Sequence, residues 1–305
     1  MADLSIVFLG KRFPNPTVLA SGIMGVSASS MLYAIQNGAG AATMKSLGLE
    51  PRKGHPNPVI ATFEAGMINA VGLSGPGVDE GKKEIEEFRK RSKGIIIASV
   101  FAFKSDEYFE VVRRISSSKP DLIEINISCP NVESEGGTPF ALDCLSAARA
   151  TEMARKATDI PIIVKLSPTA PDIAKIAISV EKAGADAINM GNTLGPGMVI
   201  NPELAKPVLS NKVGGVSGAA IRPIAVKKVW DIYKAVKIPI IGTGGVSTGR
   251  DAVEMIMAGA TLVGIGAAVH DRGIDVFAKV CGELSDFMEK NGYSSIQEMV
   301  GKAHE

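Results

Sequence analysis

Cysteine, histidine and aromatic side chains are all scarce in this chain of 305 residues, and each scarcity closes off a class of chemistry. The three cysteines (Cys129, Cys144, Cys281) make an odd number with no Cys-x-x-Cys spacing, so neither a disulfide framework nor a metal site of the zinc type is expected. The three histidines fall in a proline-rich stretch (His55), at the start of the last helical pattern (His270) and in the tail (His304). No Ser-His-Asp or Cys-His order emerges from them, which makes acyl transfer a weak reading. Net charge is almost absent as well. The 33 basic and 32 acidic side chains leave +1, with no basic block and no aromatic-basic interleaving, so nucleic acid is not an expected partner. The opening MADLSIVFLGKRFPNP lacks a basic leader and a small-residue cleavage site, and its apolar stretch is too short to span a bilayer. A reducing cytoplasm without a membrane anchor is the expectation.

What is abundant is aliphatic. Hydrophobic residues make up 46% and aromatics only 5%, which suits an interior of Val, Ile, Leu and Ala. Short β-branched runs alternate with amphipathic stretches through eight strand-then-helix repeats, the pattern of a parallel sheet. Strands are expected at Thr17 to Ser21, Ala41 to Ser46, Ile95 to Val100, Leu122 to Asn126, Ile162 to Leu166, Ala187 to Met190, Ile240 to Gly242 and Leu262 to Ile265. Helical patterns cover 79–91, 171–184, 224–236 and 250–260; Gly184 and Gly259 stand where a helix end calls for a left-handed residue. No GxGxxG follows the first strand, so a closed (β/α)₈ barrel in one domain over 1–305 is favoured over an open doubly wound sheet. Two long connections, 47–78 and 191–220, are rich in Gly, Pro and Asn and read as lids or binding loops. The segment 131–140, NVESEGGTPF, reads as a third lid.

Barrels of this kind place their chemistry at the C-terminal ends of the strands. There the sequence sets Ser21, Lys45, Ser46, Ser99, Asn126, Ser128, Cys129, Lys165, Ser167, Asn192 and Thr193. Gly244, Gly245 and Gly266 follow strands seven and eight, where backbone N–H groups commonly cradle phosphate, and Gly218 in GGVSG adds to them. Thr248, three residues before Asp251, reads as the start of a capping box. In EINISCPN (124–131), alternation sets Glu124 and Asn126 on one face, so Asn126 points inward and Cys129 falls just beyond it, held extended by Pro130. Cys144 and Cys281 lie in helical patterns and read as buried structural cysteines.

These segments together resemble the dihydroorotate dehydrogenases, in particular the catalytic subunits of the NAD-linked class 1B group. The resemblance runs through ASG (20–22), MKS (44–46), NAVGLSGPG (69–77), EINISCPN (124–131), VKLSP (164–168), NT (192–193), GGVSG (214–218), GTGGV (242–246) and GIGAA (264–268). It implies FMN across the barrel mouth, held by Ser21, Lys45, Ser46, Ser99, Asn126, Lys165, Gly191, Gly218, Gly244, Gly245, Gly266 and Ala267. It implies dihydroorotate or orotate held by Lys45, Asn69, Ala70, Val71, Gly72, Leu73, Asn126, Asn192 and Thr193, with Cys129 as the general base. Where many relatives have asparagine at the end of strand three this chain has Ser99, a shorter arm. Class 2 relatives use serine as the base and carry an N-terminal membrane extension; Cys129 and the absence of such an extension point to class 1. The stretch VESEGGTPFALD is closer to the NAD-linked type. That type implies an electron-transfer subunit with FAD and a 2Fe–2S cluster, a homodimer of this chain, and a heterotetramer of two subunits of each kind. Two other readings stay open on the residues alone: an FMN barrel acting on other dihydropyrimidines, and a phosphate-binding barrel without redox activity.

Overall fold

The computed structural model describes residues 2–128 and 140–305. Eight parallel strands close into a barrel. We label them β1 (Thr17–Leu19), β2 (Ala41–Thr43), β3 (Ile95–Val100), β4 (Leu122–Asn126), β5 (Ile162–Leu166), β6 (Ala187–Met190), β7 (Ile240–Thr243) and β8 (Leu262–Ile265). Each pairs with its neighbours in chain order, and β8 closes the circle onto β1 through Val263 opposite Thr17. Every residue of β4, β5, β6 and β8 is buried. Strands covered on both faces must be apolar almost throughout, which is why they read as short runs rather than alternating ones.

Helices follow the strands on the outside, among them Val78–Arg91, Ile173–Lys182, Arg222–Ala235 and Gly249–Met257, each within a few residues of its expected span. Gly184 and Gly259 do take positive φ, at 99° and 121°. The cap at Thr248 forms in full: its side chain accepts from the Asp251 N–H, and the Asp251 carboxylate accepts from the N–H of Thr248 and of Ser247. None of the helices among the described residues is long and apolar enough to cross a membrane.

Two features lie outside the expected repeats. A hairpin of Ile6–Phe8 and Lys11–Phe13 precedes β1, with Phe8 and Phe13 buried edge to face at 5.8 Å. More consequential is an antiparallel sheet built by the two long connections, which the sequence presents as loops. Its strands run Leu194–Gly197, Gly214–Ser217, Gly66–Asn69 and Ile60–Phe63 in spatial order. Gly215 stands opposite Asn69 and Ser217 opposite Met67, so segments from after β2 and after β6 are laced into one cover.

The expected strand at Ala41 to Ser46 stops at Thr43 for a reason that matters to the site. Pairing with β3 resumes at Leu47, whose N–H donates to the Ser99 carbonyl, whereas the Lys45 N–H turns away to the carbonyl of Gly25. Lys45 therefore leaves the ladder and its side chain is free to enter the mouth.

Because the Thr248 cap satisfies an otherwise orphaned N–H in the turn after β7, Thr248→Ala should destabilise the protein by about 1 kcal/mol. Chemical denaturation with an unchanged m-value checks this, and an unaltered midpoint contradicts it.

Candidate active site

Polar residues inside a barrel are costly unless they find partners, and here they find each other. Register sets Asn126 on β4 beside Lys165 on β5, and Lys165 beside Asn189 on β6. Two residues back along β4, Glu124 stands opposite Ser99 of β3. Ser46 Oγ lies 2.8 Å from Ser99 Oγ and accepts from Asn126 Nδ2 at 3.1 Å, and Ser21 Oγ is 3.3 Å from Ser46 Oγ. Ser99 donates to Glu124 Oε1 at 2.8 Å, Asn189 Nδ2 donates to Glu124 Oε2 at 2.6 Å, and Thr243 Oγ1 donates to Asn189 Oδ1 at 2.9 Å. A belt of hydrogen bonds thus passes from β1 around to β7.

At the end of β4, Asn126 Oδ1 accepts from both the N–H and the hydroxyl of Ser128, and Ser128 Oγ accepts from Asn192 Nδ2 at 2.6 Å. The backbone carbonyl of Asn126 accepts from the buried Tyr108 hydroxyl at 2.9 Å. Asn126 is therefore held through both its side chain and its backbone carbonyl. Cys129 itself, with most of the expected lid at 131–140, lies outside the described residues.

Above the belt opens a cavity of about 530 Å³, within the range of small-molecule and cofactor sites. Its walls include Ser21, Lys45, Ser46, Asn126, Lys165, Gly191, Gly218, Gly244, Gly245, Gly266 and Ala267, which the resemblance assigns to a cofactor. They include Asn69, Ala70, Val71, Gly72, Leu73, Asn192 and Thr193, which it assigns to a substrate. Residues from seven barrel strand ends, all but that of β3, and from the cover sheet thus meet around one space. Ser99 stands apart: it is fully buried, spent on Ser46 and Glu124, and is not part of the cavity wall. Cys144 and Cys281 do not line the cavity either; burial pushes the Cys281 thiol up to about 11. Both are only partly buried, less so than their helical patterns imply.

Asn189, Thr243 and Glu124 belong to the site although the resemblance assigns none of them a role. Their signal is a polar residue inside an otherwise apolar, doubly covered strand, which needs a partner wherever it occurs.

The cavity suits an anion. Lys45 and Lys165 both face it, and Asp271 is the sole carboxylate in its described lining. Neither Nζ has a hydrogen bond to a described residue. Burial, and then the charge of Lys165, holds the Lys45 ammonium below the usual lysine range. On the β7 and β8 side, Gly244 and Gly245 have φ of 145° and 73°, and a side chain on Gly245 would strike Arg222 Cβ at 2.7 Å. The N–H groups of Gly244 and Gly245 donate to no backbone acceptor in the surrounding turns, whereas those of Ser247 and Thr248 are taken by Asp251. Two ammonium groups, from the ends of β2 and β5, and backbone donors after β7 fit a phosphate-bearing flavin together with a small carboxylate ligand.

Against known proteins, the family model "Dihydroorotate dehydrogenase" matches residues 3–288. A protein of Methanothermobacter thermautotrophicus named dihydroorotate dehydrogenase B (NAD(+)), catalytic subunit, is 43% identical over 305 residues, covering 100% of this chain and 99% of its own. Proteins of the same name from Methanocaldococcus jannaschii and Pyrococcus furiosus are 44% and 38% identical, with 97% and 99% of this chain and 96% and 99% of theirs aligned.

Lys45 gives a pH test of the ligand-free protein. Its folded pKa lies below the unfolded value of about 10.4, so the unfolded chain binds more protons in the window between the two. Stability should therefore rise as pH increases through that window. Lys45→Met should remove the rise and lift the neutral-pH Tm by about 2–4 °C. Parallel pH–Tm curves for the two proteins would count against the assignment.

Proposed function

The chain belongs to the dihydroorotate dehydrogenase family, and from that membership we propose that it oxidises (S)-dihydroorotate to orotate in pyrimidine biosynthesis, with FMN as its cofactor and NAD as the final acceptor. The observation that carries this reading is the convergence of the family's motifs, from β1, β2, β4 to β8 and the cover sheet, on one cation-lined cavity.

The reaction removes a proton from C5 of the ring and a hydride from C6. FMN, when bound, supplies the acceptor for that hydride. The chain's residues do the rest. Lys45 and the stretch Asn69 to Leu73 bind the substrate with Asn126, Asn192 and Thr193, and the amides orient its polar edges. Ser21, Ser46, Gly191 and Lys165 hold the flavin's polar ring edge, while Gly218, Gly244, Gly245, Gly266 and Ala267 hold its phosphate arm. Cys129 takes the C5 proton. An unperturbed thiol has a pKa of about 8.5, so modest help from neighbouring cations and amides suffices near neutral pH. Support for placing the base there comes from its neighbours: Asn126 and Asn192 both grip Ser128, one residue before it. Ser99 supports Ser46 from behind rather than reaching a ligand.

A partner subunit carrying FAD and a 2Fe–2S cluster would complete the path to NAD, in a heterotetramer built on a homodimer of this chain. The relatives' own name, catalytic subunit, supports a partner. A cytoplasmic location agrees with this scheme.

Anaerobic mixing of the purified protein with dihydroorotate should bleach a bound flavin and yield orotate, with NAD reduced only when the partner is added. A colourless preparation, or turnover of dihydrouracil alone, would overturn the reading. Cys129→Ser should retain FMN and orotate yet slow flavin reduction by roughly 100-fold or more, because a hydroxyl is a far weaker base. Lys165→Ala should weaken FMN retention by about tenfold, more than Cys129→Ala does. The reverse order would contradict the division of roles.

A further inference from the structure

The polar belt beneath the cavity holds one ionisable group for which the proposed reaction has no use. Glu124 is 1% exposed and does not line the cavity, yet its two oxygens engage three other strands. Oε1 accepts from Ser99 on β3 at 2.8 Å and lies 3.9 Å from Lys165 Nζ on β5, and Oε2 accepts from Asn189 Nδ2 on β6 at 2.6 Å. Asn189 in turn accepts from Thr243 on β7 and from the N–H of Gly191, both at the cavity's edge. A carboxylate so enclosed is strongly disfavoured unless a cation balances it and its lone pairs are filled. Lys165 is the cation with which it forms an ion pair among the described residues, and the Lys165 side chain is itself 6% exposed. The two side chains thus form a buried ion pair.

We propose that Glu124 is a positioning residue: from below the cavity floor it fixes the Lys165 ammonium group at the mouth, offsets part of its charge, and through Asn189 sets the wall on β6 and β7. The charge that a bound ligand meets is then governed by a residue the ligand never touches. A packing role alone would be served as well by glutamine, which matches glutamate in shape and can still bond to Ser99 and Asn189. The carboxylate's distinctive contribution is its charge.

Two measurements test this, the second of which rests on the flavin reading above and the first of which does not. The first is a double-mutant cycle on flavin-free protein with Glu124→Gln, Lys165→Met and the pair together. Lys165→Met should lower Tm by about 5–10 °C, because it strands a buried carboxylate, and adding Glu124→Gln should regain at least half of the loss. Additive losses overturn the pairing. If Lys165→Met alone yields no folded protein, a folded double variant supports the pairing and an unfolded one overturns it.

The second is the midpoint potential of flavin-loaded Glu124→Gln. With Lys165 no longer offset, reduced flavin should bind about tenfold more tightly relative to oxidised flavin, a positive shift of about 30 mV for a two-electron couple. No shift, or a negative one, overturns the charge-balancing role even if Tm falls. A native protein that holds no flavin would sink the proposed reaction but leave the cycle to decide on Glu124.

Discussion

Two ammonium groups turned towards one enclosed space repel each other, and the barrel mouth is organised around holding them there. Lys45 reaches the space because its backbone leaves the β2 ladder, and Lys165 reaches it from the end of β5 with a carboxylate beneath. Serines, asparagines and a threonine fill the remaining hydrogen bonds of the belt, and Glu124 pairs with Lys165, whereas Lys45 has no ion-pair partner among the described residues. The unpaired charge of Lys45 destabilises the empty protein and favours an anion that enters. Affinity is in that sense prepared in advance by the fold.

This organisation also explains the distribution of residue types. The lower barrel is mostly Ile, Val, Leu and Ala, with Thr17 bonded to Asn15 at the foot of β1. The hydrogen-bonded belt begins at the layer of Ser99 and Glu124 and becomes ligand-facing at Asn126 and Lys165. Depth along a strand therefore separates support from contact. Ser99 illustrates the boundary: a side chain one layer too deep and too short to reach the cavity, it holds Ser46, which does reach it.

Much of this was readable before any coordinates. The apolar run Ile95 to Val100 and its seven counterparts mark the strands because burial on both faces forces that composition. Alternation in EINIS placed Asn126 inward for the same reason. Two things could not be read. The strand at Gly214–Ser217 is half glycine, a residue that weakens strands, and it exists because it pairs with Gly66–Asn69, nearly 150 positions earlier in the chain. The partners of Glu124 depend on barrel register, which local sequence does not encode. Cys129, the residue on which the proposed chemistry turns, was legible in the motif EINISCPN and lies outside the described residues.

The laced cover has an evolutionary corollary. Since Gly215 faces Asn69 and the Asn69 side chain reaches back to the Gly215 carbonyl, an insertion in either connection would slip the register of the other and carry its ligand-facing residues with it. Two distant stretches of gene are thereby constrained to change together or not at all. Recognition of a new ring by this scaffold would have to arise through paired edits, and transplanting one connection from a divergent cousin without its mate would scramble both.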